Sequence, residues 1–528
     1  MQREINSLAN SRFDLVVVGG GIYGAAAAWE AARRGLEVAL VEAGDFGGGA
    51  SANSLKVIHS GFRYLQSLDF ARVRLSAGEL ANLLAIAPHL VSPVPCLVAT
   101  RGLGKQGRPA FAIALAMYNR LIKNDKLRGR LVPRDEALAR MSACPAPGIS
   151  GGALWYEGVV HDSERLTLAY VHSAVRQGAR AANYLRATGL LRENGRVIGV
   201  SARDEFTGGE LEVRGRVVLL TAGAWSAALL GRPWPEPALA SAVNLVLKRR
   251  LGEVLLGLRS LSDGRADPVC GGGRFMFMVP WRERTMLGTA YRLWSGEPRP
   301  AGPTARELLG LLEEFNAACP GLDLGPEDIG FYHWGLVPLA APGRPPAGGG
   351  LATKRRIEEQ AGVVLVSGAK YTTARAVDAE AVGRACAQLG RPDPAPPLEP
   401  LWGGEAGRDD PPSALPAGAA AHLRAQYGSR AGEVAARAGG DPALWQPLAP
   451  GTPVLGCEVA HAVEAEMALT LGDVSLRRTV LGKVGRPSEE ALAAAAGIMA
   501  ARLGWDRARQ GAEMARALEP YQVLEDLG

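Results

Sequence analysis

No stretch of about 18 uninterrupted apolar residues occurs in the chain, so nothing in it reads as a membrane-spanning helix. The opening MQREINSLANSR lacks the apolar core of a secretory leader, which removes the argument for export and favours a cytoplasmic protein. Cysteine is scarce. Cys96, Cys144, Cys270, Cys319, Cys386 and Cys457 lie far apart, and none are spaced as metal ligands or as a redox pair. They read as structural thiols in a reducing compartment, and no metal site is expected. A large excess of one charge is missing too: 59 basic residues face 53 acidic ones, a formal +6. Without a dense basic run interleaved with aromatics, nucleic acid is a poor partner. Lysine is short, at eight of the basic residues, so the arginines partly reflect compositional bias and a scattered one carries little functional weight. There is no Ser-His-Asp order, zinc signature, Walker loop or fixed-period repeat.

What is present is a chain of 528 residues, 47% of them hydrophobic, enough to bury large cores in two or three domains. Its organising stretch is Phe13 to Gly44. The apolar run Leu15–Val18 has the pattern of a strand buried on both faces. Gly19, Gly21 and Gly24 follow as GxGxxG, then a small-residue helix from Ala25 to Arg34, a stop at Gly35, and a second apolar strand, Val38–Val41, ending on Glu42. The first glycine permits the tight turn, the second lets backbone approach a pyrophosphate, and the third lets helix and strand pack closely. The helix start offers unpaired N–H groups to phosphate. Glu42 stands where a carboxylate would take the hydroxyls of a ribose. This unit predicts a dinucleotide fold and leaves open which dinucleotide, an NAD-linked dehydrogenase being the rival reading.

The next stretch, Gly47 to Leu65, is rich in glycine and serine and then apolar, with Lys56, His59, Arg63 and Tyr64 interspersed. Small residues there would let an extended segment pass beneath a cofactor, with the basic and aromatic groups facing its reactive end. Asp69 to His89 has helical spacing ending at Pro88, and Pro109 to Asp125 reads as a helix packed on another domain or, less readily, lying in a lipid interface. Asp162 or Ser163 caps the start of a helix, and Val217–Leu220 runs into TAGAW, where Gly223 permits a second close backbone approach. VNLVLKR, EVLLGL, RFMFMVPW and TMLGTAYRLW read as strands of an antiparallel sheet, and Thr304 to Phe315 as a helix. From Val363, VVLVSGAKYTTAR is strand, Gly368, and a helix whose first-turn N–H groups Thr372 and Thr373 can meet, with Lys370 at its positive end. After Arg391 a proline-rich linker leads to amphipathic helices.

Taken together, VVVGGGIYGAAAAWEAARRGLEVALVE, SLKVIHSGFRYL, TAGAW, VPW with LGTAY, GAKYTTAR and EMALTLGDVSLRRT resemble the FAD-dependent glycerol-3-phosphate dehydrogenase family, within the amino-acid-oxidase-like flavoproteins, over nearly the full length. The resemblance implies an α/β protein with an α+β substrate domain. A discontinuous Rossmann-like FAD-binding domain would comprise 1–95, 155–240 and 350–390, with an antiparallel-sheet substrate domain at 96–154 and 241–349. A linker at 391–410 and a helical C-terminal domain at 411–528 would follow. It implies FAD along Gly19, Gly21, Gly24 and Glu42, with Ala187 and Gly223 as further contacts. The flavin ring would lie near Ser51, Ser54, Lys56, Gly368, Lys370, Thr372 and Thr373. Arg63 and Tyr64 would face substrate, and His59 and Tyr64 are the candidate proton handlers. Arg63, Arg250 and Lys354 would stabilise anionic character.

The implied reaction is oxidation of the secondary alcohol of glycerol 3-phosphate, with electrons passed to a quinone or another acceptor. It brings a peripheral contact with the inner face of a membrane, and a homodimer, into consideration. The chain departs from the family pattern in places. Arg250 replaces a substrate-side histidine, Val337 stands at a substrate-binding arginine, Lys354 takes the place of a further arginine, and Ala290 and Tyr291 replace Thr-Asp. Those departures keep alternatives open: a nonphosphorylated polyol, hydroxy acid or amine as substrate, or a noncatalytic flavin-binding protein.

Overall fold

The computed structural model describes residues 1–527 except 147, 233–238, 262–268, 270–273, 300, 340–350, 352–355, 369 and 408. Its first sheet grows outward from Arg12–Val18. Along this strand Leu15 and Val17 enter one apolar core while Val16 and Val18 enter another, so every side chain of the run is buried. Glu210–Leu220 pairs parallel on one side and Val38–Val41 on the other, followed outward by Val363–Ser367 and Arg180–Ala182. An antiparallel edge strand, Arg356–Gln360, closes one side. Leu185–Glu193 and Arg196–Asp204 extend the sheet antiparallel from Glu210–Leu220.

The helix Ile22–Ala32 lies on this sheet, its Ala25–Ala28 run fully buried, between helices Ser163–Arg176 and Ala374–Leu389. Alanines bring the helix axis close to the strands. Asp162 caps the second of these helices by accepting from Arg165 N–H, as expected. Thr373 makes no side-chain cap on the third, contrary to expectation, and Thr372 is drawn instead to the backbone N–H of His59.

The second sheet runs Ile329–Pro338, Leu239–Leu247, Arg284–Trp294, Phe275–Trp281, Leu255–Arg259, Val91–Thr100, Gly151–Val160 and Val57–Ile58, with Arg130–Val132 paired on Gly151–Val160. It is antiparallel except where Leu255–Arg259 meets Val91–Thr100. This sheet corrects the expected domain boundaries. Val57–Ile58, the start of Val91–Thr100 and the end of Gly151–Val160 fall within the ranges expected for the nucleotide domain but are strands of the second sheet. Val91–Thr100 runs as one ten-residue strand through Pro93 and Pro95. A register shift between Val243 and Asn244 sets Asn244 at a bulge facing both Gly288 and His333.

Two further expectations fail. Cys144 and Cys319, expected to be free thiols, form a disulfide across 175 residues, because the fold places their Cα atoms 5.5 Å apart. The segment after Arg391 is not a loose linker throughout. Leu401 and Trp402 are buried, with their N–H groups held by Ile86 O and Ser173 Oγ. Beyond it the C-terminal helices, including Gly456–Glu466, Glu489–Leu503 and Arg507–Leu518, pack around a core of their own. Among the described residues no helix is long and apolar enough to cross a membrane.

Candidate active site

The glycine loop leaves room only for backbone. A Cβ on Gly19, whose φ is +103°, would lie 2.8 Å from Ala222 Cα and from Thr221 O, and one on Gly24 would lie 1.7 Å from Gly19 O. The TAGAW turn therefore abuts the loop through Thr221 and Ala222, one step before Gly223. Thr221 Oγ1 donates to Val18 O and Gly19 O. Ser51 Oγ accepts from the N–H of Ile22, and the Glu42 carboxylate accepts from Gly20 N–H and Gly44 N–H. Burial, partly offset by those two N–H groups, raises the Glu42 pKa. The N–H groups of Gly21 and Tyr23 have no acceptor among the described residues, as a phosphate-binding helix start requires.

Beyond the glycine loop the predicted basic and aromatic residues converge. Lys370 Nζ lies 4.1 Å from the centroid of the Tyr64 ring, with the guanidinium carbons of Arg63 at 5.7 Å and Arg72 at 5.2 Å. Arg72 is paired with Asp69, whereas Arg63 and Lys370 have no carboxylate partner among the described residues. Desolvation, then the nearby Arg63 charge, pushes Lys370 down to about 8. His59 packs its ring on Phe277 at 5.4 Å. Enclosure by protein, followed by the charges of Arg63 and Lys370, pushes its imidazole down to about 3. Because 47% of the side chain is still exposed to solvent, solvent tempers the enclosure, and the imidazole is neutral near pH 7. Gly368 leaves space for Tyr23, whose hydroxyl would lie 2.4 Å from a Cβ there and donates to Lys370 O at 3.0 Å.

Two groups that sequence reasoning missed complete this end. Glu157, 4% exposed in the strand Gly151–Val160, brings Oε2 to 3.8 Å from His59 Nδ1. Its signal was a lone acid in the apolar run ALWYEGVV. Asn244 donates to Asn53 O and accepts from Thr289 Oγ1 at 2.6 Å, and Asn53 Oδ1 accepts from Trp334 N–H. These bonds tie the second sheet to the loop that follows the nucleotide strand.

Other predicted residues stand elsewhere. The Lys56 ammonium turns into the protein, to Ala52 O, Ser163 Oγ and Glu164, so its charge is spent on a buried carboxylate rather than on the cleft. Ser54 accepts from Lys56 N–H. Arg250, expected to stabilise anionic character, is turned to Glu253, Gly252 O and Arg282 O, and its neighbour Arg249 pairs with Asp328. Lys354 lies outside the described residues. Ala187 sits in Leu185–Glu193, against the outer core of the first sheet, and Val337 lies opposite Ala240 on the edge strand of the second.

Comparison with known proteins agrees with this architecture. The FAD dependent oxidoreductase family model matches residues 14–380, and that for the C-terminal domain of alpha-glycerophosphate oxidase matches 365–510. Glycerol-3-phosphate dehydrogenase 2 of Mycobacterium tuberculosis is 32% identical over 558 residues, spanning 98% of this chain and 92% of that protein. The chain belongs to the FAD-dependent glycerol-3-phosphate dehydrogenase family. A second relative, the glycerol-3-phosphate dehydrogenase of Synechocystis sp., is 30% identical over 91% of each chain. The X-ray structure of the Bacillus halodurans glycerol-3-phosphate dehydrogenase complexed with FAD has the same fold, with a TM-score of 0.77 over 98% of this chain and 96% of that one, at 22% identity.

The donor set of this family member fits an FAD: a Cβ-free loop, N–H groups at a helix start without an acceptor among the described residues, and a half-buried acid, Glu42, just past the second strand. The C-terminal domain reaches the same region through charge. Lys483 Nζ binds both Asp162 oxygens at 2.7 and 2.8 Å, next to the Lys56–Glu164 pair. Among the described residues one trio of metal-ligand types, His172, His461 and Glu466, is gathered. Arg165 donates to both Glu466 oxygens, which makes the trio part of a buried ion network.

Proposed function

We propose that this family member oxidises the secondary alcohol of glycerol 3-phosphate to dihydroxyacetone phosphate. The observation that carries the reading is the meeting of two cations that form no ion pair among the described residues, Arg63 and Lys370, with a neutral His59. Bound FAD supplies a two-electron acceptor for the hydride that leaves the alcohol carbon. The protein's part is to hold the substrate anion and remove a proton. Arg63 offers a planar fork to phosphate oxygens, and Lys370 a compact charge beside it. His59 turns Nδ1 toward Glu157, so Nε2 is the atom assigned to take the hydroxyl proton as the O–H bond breaks. Anaerobic mixing of the yellow holoenzyme with glycerol 3-phosphate should bleach the flavin at submillimolar substrate; an unbleached flavin overturns the reading.

Val337 favours a second reading. It places an aliphatic branch where the resemblance expects a guanidinium, which suits a less charged polyol, hydroxy acid or amine. The same experiment with glycerol, hydroxy acids and amines decides between the two, since only one substrate class should bleach the flavin rapidly. A flavin that no alcohol or amine reduces would favour a noncatalytic protein.

A peripheral membrane contact and a quinone acceptor belong to the same proposal. They are supported by the loop before the helix Arg108–Leu121, where Leu103 is 88% exposed beside Arg101 and Lys105, and by Ile113, 63% exposed on that helix. Flotation with anionic vesicles, lost in a Leu103→Glu/Ile113→Glu variant, would support the contact. Light scattering on the detergent-free protein tests the homodimer.

A further inference from the structure

We propose that Glu157 is a positioning residue for proton removal, its carboxylate lying behind His59 to hold the imidazole and to stabilise the charge the ring acquires. The inference deepens the function proposed above and rests on His59 as the proton acceptor.

Glu157 occupies a costly place for a carboxylate. Ala153, Leu154, Trp155, Val159 and Val160 of the same strand are all buried, and Glu157 is buried among them. Among the described residues no lysine or arginine forms an ion pair with it. A carboxylate placed this way is unfavourable unless other groups satisfy it. Two donors do so in part. Trp155 Nε1–H donates to Oε1 at 2.7 Å and the Ser60 backbone N–H donates to Oε2. Trp155 cannot swing away, because its ring is stacked on Phe62 at 4.3 Å. The oxygen bound by Ser60 N–H is the one that faces His59 Nδ1, so the strand, the tryptophan and the residue following His59 together aim one carboxylate oxygen at the ring. Phe277 packs on the ring, and the Thr372 Oγ1 that accepts from the His59 backbone N–H holds the main chain beneath it.

The surrounding charges leave the pair to act together. Arg63 and Lys370 face His59 and disfavour an imidazolium; Arg63 is the cation that bears on Glu157. Tyr118 from the neighbouring helix and Cys96 from the adjoining strand are both driven up and stay neutral. Among the described residues Glu157 is thus the anion placed beside the ring, where it offsets Arg63 when the ring gains a proton. Desolvation, incompletely offset by Trp155 and Ser60, pushes Glu157 up to about 7. In the reaction the substrate O–H bond breaks, Nε2–H forms, and the positive ring is stabilised across Nδ1–H by ionised Glu157; the hydride pair leaves by the route already given. The acid and the imidazole titrate as a pair.

The test uses holoenzyme and two readouts. The first is the anaerobic rate of flavin reduction by glycerol 3-phosphate from pH 5 to 9. The parent should lose rate as pH falls through about 7, the Glu157 range. Glu157→Gln should lose that limb and fall about 10- to 100-fold in limiting rate with little change in half-saturation, while Glu157→Asp keeps the limb. The second readout is ¹⁵N-histidine NMR of substrate-free holoenzyme, with His59 identified by its loss in His59→Gln. A step in the His59 resonance near pH 7 that vanishes in Glu157→Gln supports the pairing. An unchanged pH limb, or a His59 resonance indifferent to Glu157→Gln, overturns it. A parent flavin that glycerol 3-phosphate never reduces would instead overturn the proposed substrate, and the NMR readout would still decide the role of Glu157.

Discussion

Arg478 and Asp45, 433 residues apart in the chain, close a two-bond clasp in which Nη1 meets Oδ2 at 2.6 Å and Nη2 meets Oδ1 at 2.7 Å, both side chains 1% exposed. Asp45 lies three residues beyond Glu42, so the C-terminal domain grips the turn that follows the proposed ribose-binding acid. Burial opposes ionisation of Asp45, but Arg478 and Arg477 hold its carboxyl down to about 2.

Removing one member of this clasp should therefore affect cofactor as well as stability. Arg478→Ala leaves the buried Asp45 carboxylate to Arg477 and Asn183 alone and is expected to cost about 1.5–3 kcal/mol in urea unfolding, as for loss of a charged hydrogen bond. Flavin retention on gel filtration should fall in parallel. Asp45→Asn/Arg478→Gln should lose less than the sum of the single changes. For Asp45 itself the linkage sign is that of a depressed acid: its contribution is present above the unfolded carboxyl range and is lost as pH falls toward about 2.

Truncating Arg63 should damage the anion site selectively. Arg63→Ala is expected to lower kcat/KM for glycerol 3-phosphate by roughly 30-fold to several thousand-fold, as for loss of 2–5 kcal/mol of a charged contact. Steady-state kinetics with a dye acceptor measures this. The variant should keep its flavin spectrum, since Arg63 takes no part in the glycine cradle.

Lys370 sets an alkaline limit. Its charge is present below about 8 and lost above it, so KM for a phosphorylated substrate should rise about tenfold between pH 7 and 9.5. Lys370→Met should start from the high KM and show a flatter profile across that range.

Glu157 carries the opposite linkage from Asp45. A buried acid raised to about 7 takes up a proton on folding, so its destabilising contribution is absent below the unfolded carboxyl range and complete above pH 7. The stability of Glu157→Gln relative to the parent should rise with pH between 5 and 8 by roughly 2–3 kcal/mol. Urea midpoints across that range check it, and a pH-independent difference would count against it.

The glycine loop was readable because its chemistry is local: turn, close approach and helix start fall within a dozen consecutive residues. The same holds for the capping Asp162. The direction of the Lys56 ammonium was not legible because its counter-charge, Glu164, comes from a different element, and a lysine on a cofactor-facing segment looks available until that partner is known. Glu157 escaped notice because its contacts Ser60 and His59 are brought to it by sheet pairing, Ser60 lying 97 residues away. The Cys144–Cys319 bond was hidden for the same reason. Arg250 looked like a substrate-side charge, but a carboxylate three residues on, Glu253, holds it.

The interleaving of the two sheets has a consequence for biosynthesis. Arg12–Val18 emerges first from the ribosome, yet the residues it pairs with on one side, Arg214–Leu220, come some 200 positions later, and Val363–Ser367 is made later still. Until then the strand is an apolar segment with an unfilled edge, the kind of template that invites aggregation. The nascent chain must shelter its first strand until that partner is made, so dependence on a holding chaperone should be greatest before Glu210–Leu220 clears the exit tunnel.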